Sequence, residues 1–572
     1  MNNDLLRGAF KAFAVKMILN NLVIFCGAVV NGIVISRYLG TDSMAAYQLT
    51  LPLFFVVMML SQVISIGVQN NCAKSMGAGR GGEAGEYYSL AVLLCLPLSL
   101  CLGALVYFEA DSIAALLGAA GEAAILQQDT ADYLRGFALG VPPLFFLPMQ
   151  IALLFLEGRA KWAMRAVAAQ TGTNILGAFA NVLFLGGGIY GMGLVMSLSS
   201  LMGLGAVSLG FSQGQIRFCS RGLQVRKFLD IFYVGLPSAV DRFYKTVQMY
   251  VVNRVLLLAA PPVAMAAFAD INALNNIFNP LVMGLSTATL TMAGVFAGER
   301  DRLSLAGLLQ VSLRETLLLA GSVALLVFLG APLFIGLFAP AGGEAHGTAV
   351  HALRIYILYL PLYACNNVLQ KYYLGVNAMR MTYLTSALDN LIFICLLSAL
   401  LGYFFGAEGV WWSFVAAEAL TTFSLWLFLA WQKRGLPEGQ DFLCLPEALG
   451  STALQVFAAS ASSREELTVA AGRARTFLLA EGAGEERASL LARIIEATGA
   501  AILGRGSKSD CRIDVGLVKE EGFTLRFRDN CPPLDYGKKL TEEAEELADL
   551  WQQAEEVRYT RTLGLNYLIM RF

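Results

Sequence analysis

Four carboxylates stand inside long apolar runs of the chain: Asp241, Asp270, Asp389 and Glu418. An ionisable side chain in hydrocarbon is costly, so its first reading is functional. Counted from the start of each run at 1.5 Å per helical residue, each lies roughly 10–15 Å in, near the middle of a bilayer. A carboxylate there can hold a proton or a small cation and release it when its surroundings change. That is the chemistry of ion-coupled transport. Lys245 follows Asp241 by one helical turn and can pair with it, while Arg242 and Arg254 add positive charge to the same run. A pair of this kind also serves as a structural brace. Asp270, Asp389 and Glu418 have no cationic neighbour in the local sequence, so a functional role weighs more heavily for them.

The runs that hold these groups must be membrane spans. Of the 572 residues, 57% are hydrophobic and 15% charged, against about 25% charged in soluble domains. Apolar stretches lie near 13–36, 46–73, 88–108, 134–156, 163–185, 190–211, 231–257, 262–296, 306–338, 353–374, 382–404 and 410–431. By the hydropathy rule these are about twelve transmembrane helices, each long enough to cross. The connections alternate in charge. Arg159, Lys161 and Arg165 follow the fourth stretch, Arg217, Arg221, Arg226 and Lys227 the sixth, and Lys433 and Arg434 the last. Glu109, Asp111, Glu122, Asp129 and Asp132 lie after the third, and the connections after the fifth and seventh, "GGGIYG" and "AAPPVA", are neutral. Retention of Lys and Arg on the cytoplasmic side places both termini inside, in a plasma (inner) membrane.

Other chemistries find little footing. A net charge of −1 offers nothing to nucleic acid, and the ten cysteines show no CxxC or Cys/His spacing. They are expected to be small buried hydrophobes, with no metal site. His346 and His351 flank an expected loop and read as incidental. The first apolar run is long and lacks an A-x-A ending, so no cleavable signal peptide is expected.

The chain also repeats itself. "GVQNNCAKSMGAGRGGEAGEYYSLAVLL" has a counterpart in "STATLTMAGVFAGERDRLSLAGLLQ", and "YLRGFALGVPPLF" in "LRIYILYLPLY". The expected organisation is a six-helix half over 1–215, a basic loop over 216–229, a second six-helix half over 230–434, a linker over 435–449 and a soluble α+β domain over 450–572. Duplicated halves are typical of secondary transporters, with the site between them near mid-membrane.

On "VVNGIVISRYLGT", "IGVQNNCAKSMGAGRGGEA", "LLGAAGEAAILQQDTADYLRGFALGVPP" and "VGLPSAVDR", in this order, the region 10–434 resembles the multidrug and toxic compound extrusion (MATE) transporters. The resemblance implies two helical bundles that alternate between inward-open and outward-open. It also implies export of organic cations or drugs against Na⁺ or H⁺. Many relatives carry an Asp in the first span and another in the fifth. Asn31 and Asn181 stand at those places here. An Asn can ligate Na⁺ through its carbonyl oxygen but cannot release a proton. Coupling is therefore expected to rest on the carboxylates of the second half.

The last 120 residues or so read as one independent core. "TALQVFAAS" predicts a strand, "SREELTVAAGRARTFLLAEG" and "EERASLLARIIEATGAAILGRG" two helices, and "CRIDVGLVKEEGFTLRFRDN" a hairpin turning near Glu520. "LTEEAEELADLWQQAEEVRY" and "RTLGLNYLIMRF" are expected to be helical. The order resembles the ATP-binding fold of histidine kinases and anti-sigma factor kinases. Against that pattern Glu496, Asp529 and Gly564 fit the three nucleotide boxes, but Ala500 replaces the Mg²⁺-binding Asn and Cys531 the second-box Gly. The segment between Asp535 and Arg561 is acidic where a phosphate lid is Gly-rich. No Walker A motif is present.

These features describe an all-α membrane protein with a degenerate kinase-like cytoplasmic domain, not an enzyme. It would be a cation-coupled exporter of small amphipathic or cationic substrates, with no cofactor beyond the coupling ion. Its tail would regulate transport or dock a cytoplasmic protein. A flippase of the same superfamily, or a signalling protein with a transporter-like sensor, are the other readings. Calorimetric titration of the tail with ATP and Mg²⁺ is expected to show no tight, magnesium-dependent binding; such binding would restore the nucleotide reading.

Overall fold

The computed structural model describes residues 3–119, 124–212, 214–219, 224–259, 262–336, 344–435, 441–445, 456–504, 511–519, 522–531 and 549–572. Helices α1 (Asn3–Val34), α2 (Thr41–Gly77), α3 (Gly81–Phe108), α4 (Ala110–Ala114), α5 (Ala124–Ala138), α6 (Val141–Leu156), α7 (Ala160–Ala180) and α8 (Gly188–Phe211) come first. They are followed by α9 (Val225–Ala259), α10 (Pro262–Gly298), α11 (Arg302–Leu329), α12 (Ala331–Ile335), α13 (Glu344–Ile357), α14 (Leu360–Gly375), α15 (Met379–Ala387) and α16 (Phe393–Lys433). In hydrocarbon every backbone N–H and C=O needs an internal partner, so apolar runs of this length become helices.

Among the described residues eight helices are long and apolar enough to cross a membrane, or nine if α5 and α6, bent by 51° at Leu139–Gly140, form one span. The spans differ from the hydropathy reading in two ways. Helices extend past the apolar runs into polar ends, as α2 does by several residues on each side. The last two runs merge into one helical stretch, Met379–Lys433, interrupted at Gly406, whose φ of 60° and ψ of −138° are not helical. The histidines do not flank a loop: both belong to α13, and His351 lies 3.0 Å from Glu408.

Among the described residues four π-helical turns follow or interrupt these helices, at Ile35–Leu39, Ala115–Ala119, Asn181–Leu185 and Leu388–Ile392. A π turn widens the helix by one residue and re-aims its side chains, and such turns recur at functional sites.

Residues before 212 and after 225 meet along α2 where backbones touch. A Cβ on Gly235 (α9) would lie 1.9 Å from the Val63 carbonyl oxygen, and one on Gly67 (α2) 2.1 Å from that of Ile231. The same reciprocity joins Gly77 to Val295 (2.0 Å) and Gly298 to Lys74 (2.1 Å). Small residues at such crossings let helices pack backbone to backbone. Polar bridges reinforce them: Gln69 donates to Thr291 at 2.7 Å, Asn70 to the Leu374 carbonyl at 3.0 Å, and Lys11 pairs with Glu315 at 3.1 Å. The crossings lie toward the end of α2 and the start of α9, on the face that carries the C-terminal domain, here the tail face.

That domain has its own core. Strands β1 (Val456–Ala461), β2 (Ile513–Lys519), β3 (Phe523–Asp529), β4 (Glu556–Thr562) and β5 (Leu565–Arg571) form an antiparallel sheet in the order β1-β2-β3-β5-β4. Two helices, Arg464–Ala480 and Glu485–Gly504, pack on one side against Val515, Leu517, Leu525, Phe527, Leu568 and Met570. Ser463 caps the first helix through the Glu466 N–H.

The end of the chain departs from expectation. "EVRYTRT" and "LNYLIMR" are strands, not helices. In β5 the side chains alternate between two covered faces, and apolar residues on both sides of a strand mimic a helical run in sequence. Leu563 (φ 60°) and Gly564 (φ 84°) make the two-residue turn between them, the positive-φ pair that tight hairpins favour. Two cysteines depart as well: Cys511 and Cys531 are bridged across the ends of β2 and β3. The expected helix and acidic lid between Pro532 and Ala548 lie outside the described residues.

Replacing Gly235 by Val is expected to lower thermal unfolding of the purified protein by an equivalent of about 1–3 kcal/mol through overpacking. Gly205→Ala, where a Cβ meets open space, should leave it unchanged. Equal behaviour of the two variants would contradict the close crossing.

Candidate functional site

Asp241 sits on α9 and is buried. Its Oδ1 accepts hydrogen bonds from Gln370 (3.0 Å), Ser386 (2.9 Å) and Asn390 (3.0 Å), and its Oδ2 lies 3.3 Å from Lys245 Nζ. The i,i+4 pairing expected from sequence is thus present, with three neutral donors around it. Lys245 also lies 5.8 Å from the centre of the Tyr363 ring.

Asp389 and Glu418 are both buried and lie beside each other, and Asp389 Oδ1 accepts no hydrogen bond from a described residue. Two carboxyl groups set side by side away from water disfavour the doubly charged state. Glu418 also accepts from Asn366 Nδ2 at 2.8 Å, and Thr422 donates to Asn366 Oδ1 at 2.9 Å. The two clusters are joined along α14, where Asn366 serves Glu418 and Gln370, one turn later, serves Asp241. They are joined again at the π turn Leu388–Ile392, where neighbouring residues Asp389 and Asn390 turn to Glu418 and Asp241 respectively. Beside them Tyr356, Tyr359 and Phe414 form an aromatic group with ring centres 4.5–6.1 Å apart.

Asp270 is not part of this group. It is half-buried on α10 and forms no hydrogen bond or ion pair with a described residue. Asn366, Gln370, Ser386 and Asn390 were missed in sequence. Their signal was polar residues at helical spacing inside apolar runs, in "NNVLQ" and "SALDN".

In the first half, Asn31 borders a cavity of about 260 Å³ with Tyr47, Tyr133, Phe137, Gln170 and Asn174. Its Oδ1 is buried with no hydrogen-bond partner among the described residues. Asn181 lines no part of that cavity. It lies in a π turn, donates to the Gly188 carbonyl at 2.9 Å and packs its amide against Gly187 and Gly191, tying down the turn into α8.

The tail domain is docked on the tail face. Arg528 on β3 is buried there; it hydrogen-bonds the Glu299 carboxylate, lies 2.6 Å from Asp301 and donates to Ser304 at 3.0 Å. All three partners belong to the loop and helix start after α10. Burial opposes the charge on both acids. For Glu299 it prevails and pushes the carboxyl above its usual range, whereas Arg528 and the Ser304 hydrogen bonds hold Asp301 well below. On the other side, the Arg558 Nη1 donates to the Gly79 carbonyl at 3.1 Å, and the Leu563 N–H to that of Leu156 at 2.9 Å. Gly158 packs directly on the Gly564 backbone, and Leu5 on α1 packs with Leu565 and Tyr567. One domain therefore grips loops of both halves.

The nucleotide-box positions are engaged locally. Asp529 accepts from Asn566 Nδ2 (2.7 Å) and from the Cys531 N–H (2.9 Å), Glu496 from Thr468 (2.7 Å), and Gly564 forms the docking turn rather than opening a helix.

Two joined helical bodies with buried carboxylates in apolar helices define a multi-pass membrane protein. The MatE family profile matches residues 17–180 and again 237–404, and the chain belongs to that family, the multidrug and toxic compound extrusion transporters. It is similar to the probable multidrug resistance protein NorM of Photorhabdus laumondii, with 23% identity over 57% of this chain and 72% of that one. It is also similar to the multidrug export protein MepA of Staphylococcus aureus, with 28% identity over 29% of this chain and 37% of that one. Among solved structures, a MATE protein in complex with MaD3S superposes with a TM-score of 0.70 at 21% identity, covering 78% of this chain and 97% of that one. A multidrug resistance MATE transporter of the MOP superfamily in an outward-facing conformation gives 0.69 at 22%, with the same coverage.

Arg528→Ala strips two buried carboxylates of their counter-charge, a change that costs about 3–5 kcal/mol at buried pairs. It is expected to free the tail, seen as faster hydrogen exchange in β3 and in residues 299–304. Unchanged exchange would mean that the dock does not depend on this residue.

Proposed function

We propose that the chain exports organic cations or drugs across the plasma membrane in exchange for a cation, by alternating access between two six-helix halves. The observation that carries this reading is the pair of adjacent buried carboxyl groups, Asp389 and Glu418, set in membrane helices beside the Asp241–Lys245 network. Such a pair holds one exchangeable proton. Loss of that proton leaves two close negative charges, which a cationic substrate or Na⁺ can offset. The aromatic group of Tyr356, Tyr359 and Phe414 offers ring faces to an organic cation. The partnerless oxygen of Asn31, in the cavity of the first half, offers a second neutral contact.

A twelve-span count supports the two halves. It takes Met379–Lys433 as two spans split at Gly406, joins α5 with α6, and adds α7 and α9, whose polar residues dilute their hydropathy. The charge pattern of the loops supports a cytoplasmic tail face. Crossings concentrated on that face support a resting state closed to the cytoplasm, which the tail then holds by gripping both halves. The tail is thus read as a regulatory clamp within the domain frame expected from sequence. The membrane potential suffices as a driving force, since one charge crossing about 100 mV yields about 2.3 kcal/mol. A lipid flippase would be favoured by cations open to the cavity, but Lys245 is paired with Asp241 and Arg242 donates to Gln62.

Reconstituted vesicles test the reading. A pH gradient is expected to drive export of a cationic dye, and Asp389→Asn or Glu418→Gln to reduce it about tenfold or more, as befits intramembrane carboxylates that carry coupling. Asp270→Asn should retain most activity, and Arg528→Ala should raise the rate. Export by both carboxyl variants equal to wild type would refute the coupling assignment, and a Na⁺ gradient that drives export alone would move it from H⁺ to Na⁺.

A further inference from the structure

Between the tail sheet and the two loops it grips lies a cavity of about 320 Å³. Five arginines reach its wall from three parts of the chain. Arg80 comes from the loop after α2, Arg300 from the loop after α10, and Arg526, Arg558 and Arg571 from β3, β4 and β5. The wall has two carboxylates, those of Glu299 and Glu556. Both are already engaged, Glu299 by Arg528 and Glu556 by Arg558. Arg300 forms no ion pair with a described residue. Five cations stand against these two anions and Glu83, which pairs with Arg80 at 3.1 Å, leaving an excess of two positive charges among the described residues.

The sheet gathers this charge by strand alternation. Arg526 and Arg558 stand opposite the same residue of β5, Ile569, on its two sides, and Arg571 stands opposite Thr524 and Glu556. Like charges brought onto one face of adjacent strands repel and destabilise it. An occupant of opposite charge removes that cost. The cavity is on the face opposite the two tail helices, and so is separate from Glu496 and Asp529.

We propose that this cavity binds a small, multiply charged phosphate-bearing anion. Guanidinium forks match phosphate oxygens in bidentate geometry, and several converging on one anion favour a diphosphate over a monovalent ion. The volume is at the lower end for small-ligand sites, about 300–1,000 Å³, which suits a pyrophosphate-sized group. Because the five arginines belong to both halves and to the tail, the bound anion ties them together in the docked arrangement. Docking and anion binding then strengthen each other by the same factor. The inference rests on the reading of the tail as a clamp. The phosphate can belong to a soluble metabolite or to a lipid headgroup at the membrane surface.

The test uses the full-length protein in nanodiscs of zwitterionic lipid, at constant ionic strength. Titration with inorganic pyrophosphate is expected to show one saturable site and a raised unfolding temperature. Arg300→Gln and Arg571→Gln should each weaken binding about tenfold, the worth of a lost charge-assisted hydrogen bond. In the second arm, nanodiscs containing phosphatidic acid replace pyrophosphate. Stabilisation there and not with pyrophosphate, lost in the same two variants, assigns the phosphate to lipid and also supports the site. Absence of an effect in both arms overturns it, as does binding that both variants retain in full. Arg528→Ala separates the clamp from the site. If it leaves export unchanged, the clamp fails while pyrophosphate binding to wild type is still read directly. If it raises export and pyrophosphate and phosphatidic acid have no effect on wild type, the anion site fails and the clamp stands.

Discussion

A charge removed from water must meet an opposite charge or a set of hydrogen bonds, or the structure that removed it does not form. This chain meets that constraint in three places, and its organisation follows from them. Asp241 is satisfied by Lys245 and three neutral donors, which draw α9, α14 and the α15 segment together. Glu418 accepts from Asn366, and Asp389 lies beside it, so that two adjacent charges are disfavoured there. Arg528, carried on a soluble domain, meets Glu299 and Asp301 at the edge of the membrane part. The first arrangement is complete in one state. The second sets two acids side by side, where loss of a proton leaves adjacent charges, which makes it the better candidate for coupling. The third holds two bodies in contact and can be undone without unfolding either.

The three solutions are linked through helix geometry. One turn of α14 separates Asn366 from Gln370, so the acid pair and the Asp241 network share a rigid element. The π turn at Leu388–Ile392 does the same from the other side, since it directs two consecutive residues into the two clusters. The Asp241 network is anchored on α9, the helix that crosses α2 at Gly67 and Gly235. Those backbone contacts close the tail face, and the tail sheet lies over the same face on loops of both halves. Local electrostatics, helix crossing and domain docking form one physical chain.

Much of this was legible in the residues. Hydropathy and loop charge marked the spans, since a bilayer leaves the backbone few options. The doubled "GAGR" and "GERDR" loops marked the repeat. Asp389 and Glu418 stood out as acids without local partners, and each proved to be the other's partner, about 30 residues away in sequence. Asp270 looked the same in sequence and lies outside the group. A depth count along a helix says nothing of the direction in which a side chain points. The final "LNYLIMR" was misread as a helix because both faces of that strand are covered, one by the tail's own core and one by the membrane part.

The sequence by itself determined that this is a polytopic helical transporter with a repeated frame, buried acids and a separate C-terminal domain. Each of those properties is written in local composition, periodicity or short motifs. Tertiary structure alone decided which polar groups meet. Arg528 and Glu299 are separated by 229 residues, and Asp241 reaches Asn390 across 149. It also decided that five arginines from three segments surround one cavity. Such contacts depend on the crossing angles of helices and the register of strands, which sum over the whole fold and leave no mark at any single position.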